Sequence, residues 1–344
     1  MRTKLLSALP ALLMAGTAIC VAAPAHAADA PTVTAFNYVR AESDIQMKGY
    51  IDSFDNLGKF HHNRQPYDVN NQITIRGNRD TIYSFGVFDL RSPVTITLPE
   101  TGGRYQSLMV VSQDHSIWSF YGPRTGTLTE EKVGTRYAML TIRTFADPND
   151  EQDMQEAYRL QDAVVVEQAD IGKLEVPDWN KEEVEQMRAT INVVGATVTD
   201  SSKFFGRKEH LDPVYWMLGA ALGWGGLPAD AATYAIAFPE KNDGKTPHVV
   251  TVKDVPVDAF WSITVYNAEG YLEKNDLGRN SFNNSSAKPN EDGSYTIHFG
   301  GDPKSINYLP ITEGWNYAIR MYQPRKEILD GDWTFPEIKP SNGK

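Results

Sequence analysis

The stretch AFWSITVYNAEGYLEKN, residues 259–275, decides the fold. From Phe260 to Tyr266 it alternates large or β-branched residues with small polar ones, the pattern of a strand with two distinct faces, and Asn267-Ala268-Glu269-Gly270 supplies the turn that ends it. A looser echo, RYQSLMVVSQDHSIWSF, occupies residues 104–120. With an offset of 155 residues, Tyr105 to Val110 falls on Phe260 to Val265, and the strand-like runs that precede them, 94–97 and 249–252, take the same register. Each region closes on a similar run, Gly134 to Ala138 and Gly314 to Ala318, followed by an arginine, Arg143 and Arg320. The repeated order predicts two related β-sandwich domains, although alternating strands in unrelated sandwiches would also give a weak echo.

Working outward, residues 33–147 hold short runs of strand formers, TIYSFGVFDL, VTITLPE, YQSLMVV and YAMLTIRTF, separated by turn chemistry such as Thr101-Gly102-Gly103 and Tyr121-Gly122-Pro123. The middle is helical. Glu151 to Leu160 reads as one helix, Asn180 with Glu183 caps a second, and Asp212-Pro213 starts a third, PVYWMLGAAL, which is apolar all round and expected to be buried. Strands return in TYAIAF, HVVTV, WSITVY, YTIHF and YAIRMY. The expected organisation is a leader over 1–27, a β-sandwich over 28–150, a helical connecting segment over 151–230 and a second β-sandwich over 231–344.

The opening stretch, followed by EDGSYTIHFGG, NYLPITEGWNYAIRMYQPRKEILDGDW and FPEIKP, closely resembles the C-terminal domain of unknown function 1214. RGNRDTIYSFGVFDL through GTRYAMLTIRTFAD resembles its usual N-terminal companion, the domain of unknown function 1254. The resemblance implies a mainly β fold of two jelly-roll-like antiparallel sandwiches with helices between or beside them, in proteins often exported by bacteria. The companion's motif, similar to Pro-Asn-x-Asp-Thr, begins here with Gly77 in place of proline.

Among residues able to do chemistry, Arg76, Asn78, Arg79, Asp80, Thr81 and Tyr83 crowd ahead of a strand. They either line a pocket, with Asp80 and Tyr83 as weak catalytic candidates and Arg76, Asn78 and Arg79 as ligand contacts, or pin a sandwich corner through Asn and Asp bonds to the backbone. As a pocket, the loop would lie at the domain interface, with Asp80 partly accessible and Arg279 or Arg320 in reach. Asp114 and His115 beside Ser116 form a second weak catalytic candidate; adjacency on a strand points such side chains apart, which favours a polar turn. His61-His62 near Asp68 lacks metal-site spacing, so no metal and no cofactor is expected. Trp118 and Tyr271 sit at turns and could stack on a sugar, whereas Trp261 and Trp315 lie in strands and fit a core. Arg279 could clamp an anion or pair with Asp276.

These features suit an exported protein with a pocket for a small polar or saccharide-like ligand, a hydrolase-type enzyme using Asp, Tyr and Arg, or a structural or assembly protein of the cell envelope. Spacing alone does not choose among them. The 33 Lys and Arg against 44 Asp and Glu argue against nucleic acid, whose binding depends on cations facing phosphates. No apolar run past the leader is long enough for a membrane span.

The leader itself combines Arg2 and Lys4, an apolar run from Leu5 to Ala23, and Ala25-His26-Ala27 as a cleavage site, which predicts a periplasmic or secreted mature protein. Cys20 is the chain's single cysteine and would leave with the leader, taking disulfide and thiolate chemistry with it. The intact mass of protein recovered after export should correspond to a chain beginning at Ala28; a chain beginning at Met1, or one lipidated at Cys20, contradicts the expectation.

Overall fold

In the computed structural model, which describes residues 31–341 except 73, 199 and 201, the two quoted stretches fall on strands of equal rank. The expected leader lies outside the described residues. The first half contributes β1 (His61–His62), β2 (Thr81–Asp89), β3 (Val94–Leu98), β4 (Gln106–Ser112), β5 (Ile117–Tyr121), β6 (Arg124–Leu128), β7 (Tyr137–Phe145) and β8 (Val165–Gln168). They form a five-stranded sheet, β1-β2-β7-β4-β5, packed on a three-stranded sheet, β6-β3-β8. The second half contributes β9 (Ala232–Ala237), β10 (His248–Val252), β11 (Trp261–Tyr266), β12 (Ser281–Asn283), β13 (Tyr295–Phe299), β14 (Tyr308–Leu309), β15 (Asn316–Tyr322) and β16 (Lys339–Pro340). Here β12-β11-β15-β9 packs on β14-β13-β10-β16, and every strand pair is antiparallel except β13 with β14.

Apart from the edge strands β1 and β14, the two halves repeat each other strand for strand. The order β2-β7-β4-β5 matches β9-β15-β11-β12, and β6-β3-β8 matches β13-β10-β16. The register matches as well: Ser107 and Tyr83 flank Arg143 across the first sheet, and Ser262 and Tyr234 flank Arg320 across the second. The fold is therefore mainly β, two antiparallel sandwiches, with helices added. The first sandwich does not end near residue 150, because β8 pairs with β3 after the helix α3 (Glu151–Asp162).

Because side chains alternate along a strand, each central sheet has two working faces. Leu108, Val110, Leu140 and Ile142 fill the first sandwich, and Trp261, Ile263, Ile319 and Met321 fill the second. The opposite faces meet each other. Met109, Tyr105 and Phe145 from one half share a core with Phe260, Tyr322 and Ala231 from the other, and the Phe260 ring stacks on Tyr322 at 4.1 Å between centroids.

Beside α3 the helices are α1 (Tyr38–Phe54), the single turn α2 (Glu130–Val133), α4 (Lys181–Gly195), α5 (Pro213–Gly223) and the short α6 (Lys326–Leu329). Asn180 and Asp212 cap α4 and α5 as their sequences predict, each accepting backbone N–H bonds. Only part of α5 is buried: Leu218 to Ala221 pack on α1 and α4, while Val214 and Leu222 stay exposed. α1 carries no apolar periodicity that would announce it, because three polar residues, Glu42, Ser43 and Asp44, sit on its buried side. Glu42 receives Arg188 of α4 at 2.8 Å, Asp44 receives Gln113 and Trp179 at 2.6 and 2.8 Å, and Ser43 receives Trp224 at 2.9 Å. Partnered polar groups can be buried, but they erase the apolar periodicity by which a helix is recognised.

Since the aromatic layer joins both sandwiches into one core, Phe260→Ala should cost about 3–5 kcal/mol and lower the urea midpoint of a single unfolding transition with little change in its slope. Two separate transitions in tryptophan fluorescence would show that the halves unfold independently.

Candidate functional site

The loop from Arg76 to Asp80 is stitched to the second sandwich. Asn78 turns the chain by accepting the Asp80 N–H through its Oδ1 at 2.8 Å. The Arg76 N–H donates to the Gly270 carbonyl at 2.7 Å, Tyr266 donates to the Gly77 carbonyl at 3.0 Å, and Arg320 donates to the Arg76 carbonyl at 2.9 Å. Gly77 is required by close approach: a Cβ there would lie 2.2 Å from the Tyr67 ring. Any side chain at the motif's first position, proline included, would have to displace that tyrosine.

Asp80, only 1 % exposed, is not the partly accessible carboxylate that the pocket reading requires. Ser262 donates to its Oδ2 at 2.6 Å and Tyr322 approaches the same oxygen at 3.5 Å. Burial pushes the carboxyl pKa up, while the Arg320 charge and these two hydroxyls pull it back. This side of the loop is a corner fastened by side-chain bonds, as the second of the two sequence readings had it.

The loop's other side faces open space. Two adjoining cavities share Arg76, Asn78, Tyr83 and Arg143: one of about 840 Å³ between α1, the first central sheet and Trp224-Gly225, and one of about 260 Å³ between the two sandwiches, where Arg320 also borders it. The larger is walled by apolar and aromatic groups including Tyr50, Phe85, Met109 and Trp224, and the smaller by Tyr234, Ile236 and Tyr322. Asn78 donates to the Tyr322 hydroxyl at 2.7 Å, so the smaller space has an ordered polar edge.

The two equivalent arginines differ in their partners. Arg320 donates to Thr264 Oγ1 at 2.9 Å and to the Tyr266 hydroxyl at 2.7 Å, and it has Asp80 within electrostatic reach. Arg143 is 9 % exposed, with its guanidinium 5.4 Å from the Tyr83 ring centre and Nη1 3.6 Å from the Met109 sulfur. Among the described residues it has no carboxylate partner. Arg143, Tyr234 and Tyr322 were not singled out as site residues from sequence. A signal existed: in YAMLTIRTF and NYAIRMY an arginine is the single charge in a strand that is otherwise buried.

The remaining candidates lie elsewhere. Asp114 pairs with Arg40 and with Lys208, the latter at 3.5 Å. His115, at φ 55°, accepts the Gly225 N–H on Nε2 at 2.9 Å, which leaves the ring proton on Nδ1. Ser116 Oγ accepts the Lys208 N–H, so these three adjacent residues do not assemble a relay. Trp118 is covered by Arg207, whose guanidinium sits 3.6 Å from the ring centre. Tyr271 belongs to the turn closed by Asn267, and Arg279 pairs with Asp147 at 3.4 Å. Arg79 points to a separate depression with Tyr67, Asp68 and Lys274. His62 bonds Ser84 at 2.8 Å and His61 stacks on Phe54. Among the described residues no cluster of His, Cys, Asp or Glu could hold a metal, and no helix is long and apolar enough to cross a membrane.

His115 nevertheless matters to the cleft, because it holds Gly225 at the rim. Burial depresses its pKa from 6.5 to about 3. The unfolded chain therefore takes up a proton that the folded chain refuses, and stability falls as pH drops from 6.5 toward 3. At pH 4.5 the wild type should have lost ~2 kcal/mol more than His115→Asn, which tolerates the left-handed backbone. Equal acid sensitivity in urea titrations at pH 7 and 4.5 would contradict the neutral buried ring.

Comparison with known proteins supplies the family. Residues 57–133 match the profile of the protein of unknown function DUF1254, and residues 232–326 match that of DUF1214. A crystal structure of a Vibrio parahaemolyticus protein is similar at 20% identity and a TM-score of 0.67, covering 89% of this chain and 98% of that one. A Burkholderia cenocepacia protein is similar at 15% identity and a TM-score of 0.48, covering 88% of this chain and 87% of that one. No curated protein matches the sequence. At 20% identity the likeness to the Vibrio parahaemolyticus structure concerns the fold, and the two profiles identify a DUF1254 domain followed, in this order along one chain, by a DUF1214 domain.

Proposed function

We propose that the protein is exported and that its mature chain binds a small polar ligand in the cleft between the two sandwiches. The observation that carries this is Arg143, nine-tenths buried at the cleft and without a carboxylate partner among the described residues. A buried charge without a counter-charge is costly, and structures tolerate it chiefly where a partner arrives. Around it stand the attributes of a small-molecule site: a concave space that continues into a smaller cavity at the domain interface, apolar and aromatic walls from Tyr50, Phe85 and Met109, and few polar groups, chiefly Arg76, Asn78 and Tyr83. The saccharide-like version of the proposal draws on these aromatic faces rather than on Trp118 or Tyr271.

The hydrolase alternative has less behind it. A nucleophile and base need mutual hydrogen-bond reach and an approachable position, while Asp80 is committed to Ser262 in the interior and His115 to the Gly225 backbone. Binding fits the geometry better than bond cleavage.

The test is a melting-temperature screen of the mature chain against sugars, organic acids, phosphoesters and divalent metals. Ligands that raise the melting temperature should lose their effect in Tyr83→Ala and Arg143→Gln and keep it in Trp118→Ala and Arg279→Ala. A response indifferent to the first pair would remove the cleft from consideration.

A further inference from the structure

The duplicated register shows what is missing beside Arg143. Asp80 and Ala231 hold the same place in the two halves. Each lies three residues before the tyrosine that flanks the arginine, and each offers its carbonyl to the residue that follows the central strand, Asp80 to the Ala146 N–H at 3.0 Å and Ala231 to the Gln323 N–H at 2.9 Å. Asp80 reaches across the interface to Ser262, the serine that lies beside Arg320. The equivalent serine, Ser107, lies beside Arg143 and accepts a bond from the Tyr105 hydroxyl at 3.0 Å, yet Ala231 has no carboxyl group to offer it. One half-site thus carries an arginine, a serine and an internal acid. The other carries an arginine and a serine but no acid, and its arginine borders both cavities, whereas Arg320 borders only the smaller.

We propose that the ligand of the cleft is an organic acid whose carboxylate pairs with Arg143, bringing from outside the acidic group that Asp80 places near Arg320 from within. This rests on the cleft being the binding site. The planar guanidinium matches a carboxylate through two parallel hydrogen bonds. An apolar body on the acid suits the walls formed by Phe85, Met109 and Tyr50, where a fully hydrated inorganic anion would gain little. Arg76, which borders both cavities and whose Nε is buried without a partner, stands ready for a second polar group on the same molecule.

The experiment compares benzoate and acetate with benzamide and acetamide, and with inorganic phosphate, by melting temperature and calorimetric titration of the mature chain. The acids should raise the melting temperature saturably and the amides should not, with benzoate the stronger acid ligand. Arg143→Gln should weaken benzoate by about tenfold or more, the loss of one charge-assisted contact. Ala231→Asp should supply the carboxylate internally, so a folded Ala231→Asp protein should no longer respond to benzoate; one that responds like the wild type overturns the equivalence of the two half-sites. Benzamide binding as tightly as benzoate, or phosphate binding more tightly, overturns the carboxylate assignment. No effect of either acid, while a neutral ligand from the broader screen depends on Tyr83, also overturns it and leaves the cleft intact as a site. If no ligand at all depends on cleft residues, both proposals fail together.

Discussion

Everything at the centre of this molecule depends on a carboxylate and a guanidinium that neither sandwich could bury alone. Asp80 comes from the first half and Arg320 from the second, and their hydrogen bonds, Ser262 and Tyr322 to one oxygen of the acid and Tyr266, Thr264 and the Arg76 carbonyl to the base, run across or along the interface, while Asp80 Oδ1 stays buried without a partner among the described residues. The two are not in direct ion-pair contact but lie within electrostatic reach of each other, and losing either would strand the buried polar groups that now bond it. Their value here is positional: they fix how the two central sheets face each other, and so the shape of the space between them. The aromatic layer beside it, in which Phe260 stacks on Tyr322 and meets Tyr105 and Phe145 edge to face, supplies the apolar burial that holds the halves together.

Much of this architecture was legible in the sequence because strands advertise themselves locally. The match of RYQSLMV to AFWSITV survives as the equivalence of β4 and β11, and the arginines after the closing runs, Arg143 and Arg320, are register partners of the serines within those strands. The helix α1 and the late strand β8 were illegible for opposite reasons. In α1 the buried face carries Glu42, Ser43 and Asp44, whose partners come from Arg188, Trp179 and Trp224 far along the chain. In β8 the run is four residues long and half exposed, so its pairing with β3 leaves almost no pattern to read.

The candidate site divides in the same way. Sequence could point to the Arg76 to Tyr83 loop because its polar residues are contiguous, and Arg76, Asn78 and Tyr83 do border the cleft. It could not say which of them faces inward: Asp80 and Tyr83 are three residues apart, yet one is sealed under Ser262 and the other opens onto the cavity. Nor could it assemble Arg143 with Tyr234, which lie on different sheets and meet only through the packing of two domains.

The repeated topology has a consequence for how such a cleft can vary. Two identical sandwiches joined by a rotation axis would have to present the same residue twice at every interface position, so a change that helped one side would be imposed on the other. A tandem copy within one chain is free of that constraint. Position 80 can keep an acid while position 231 is an alanine, so one of two equivalent arginines can sit beside an internal acid while the other faces the larger cavity without one. Covalent duplication therefore converts a symmetric joint into one with a structural side and an adaptable side.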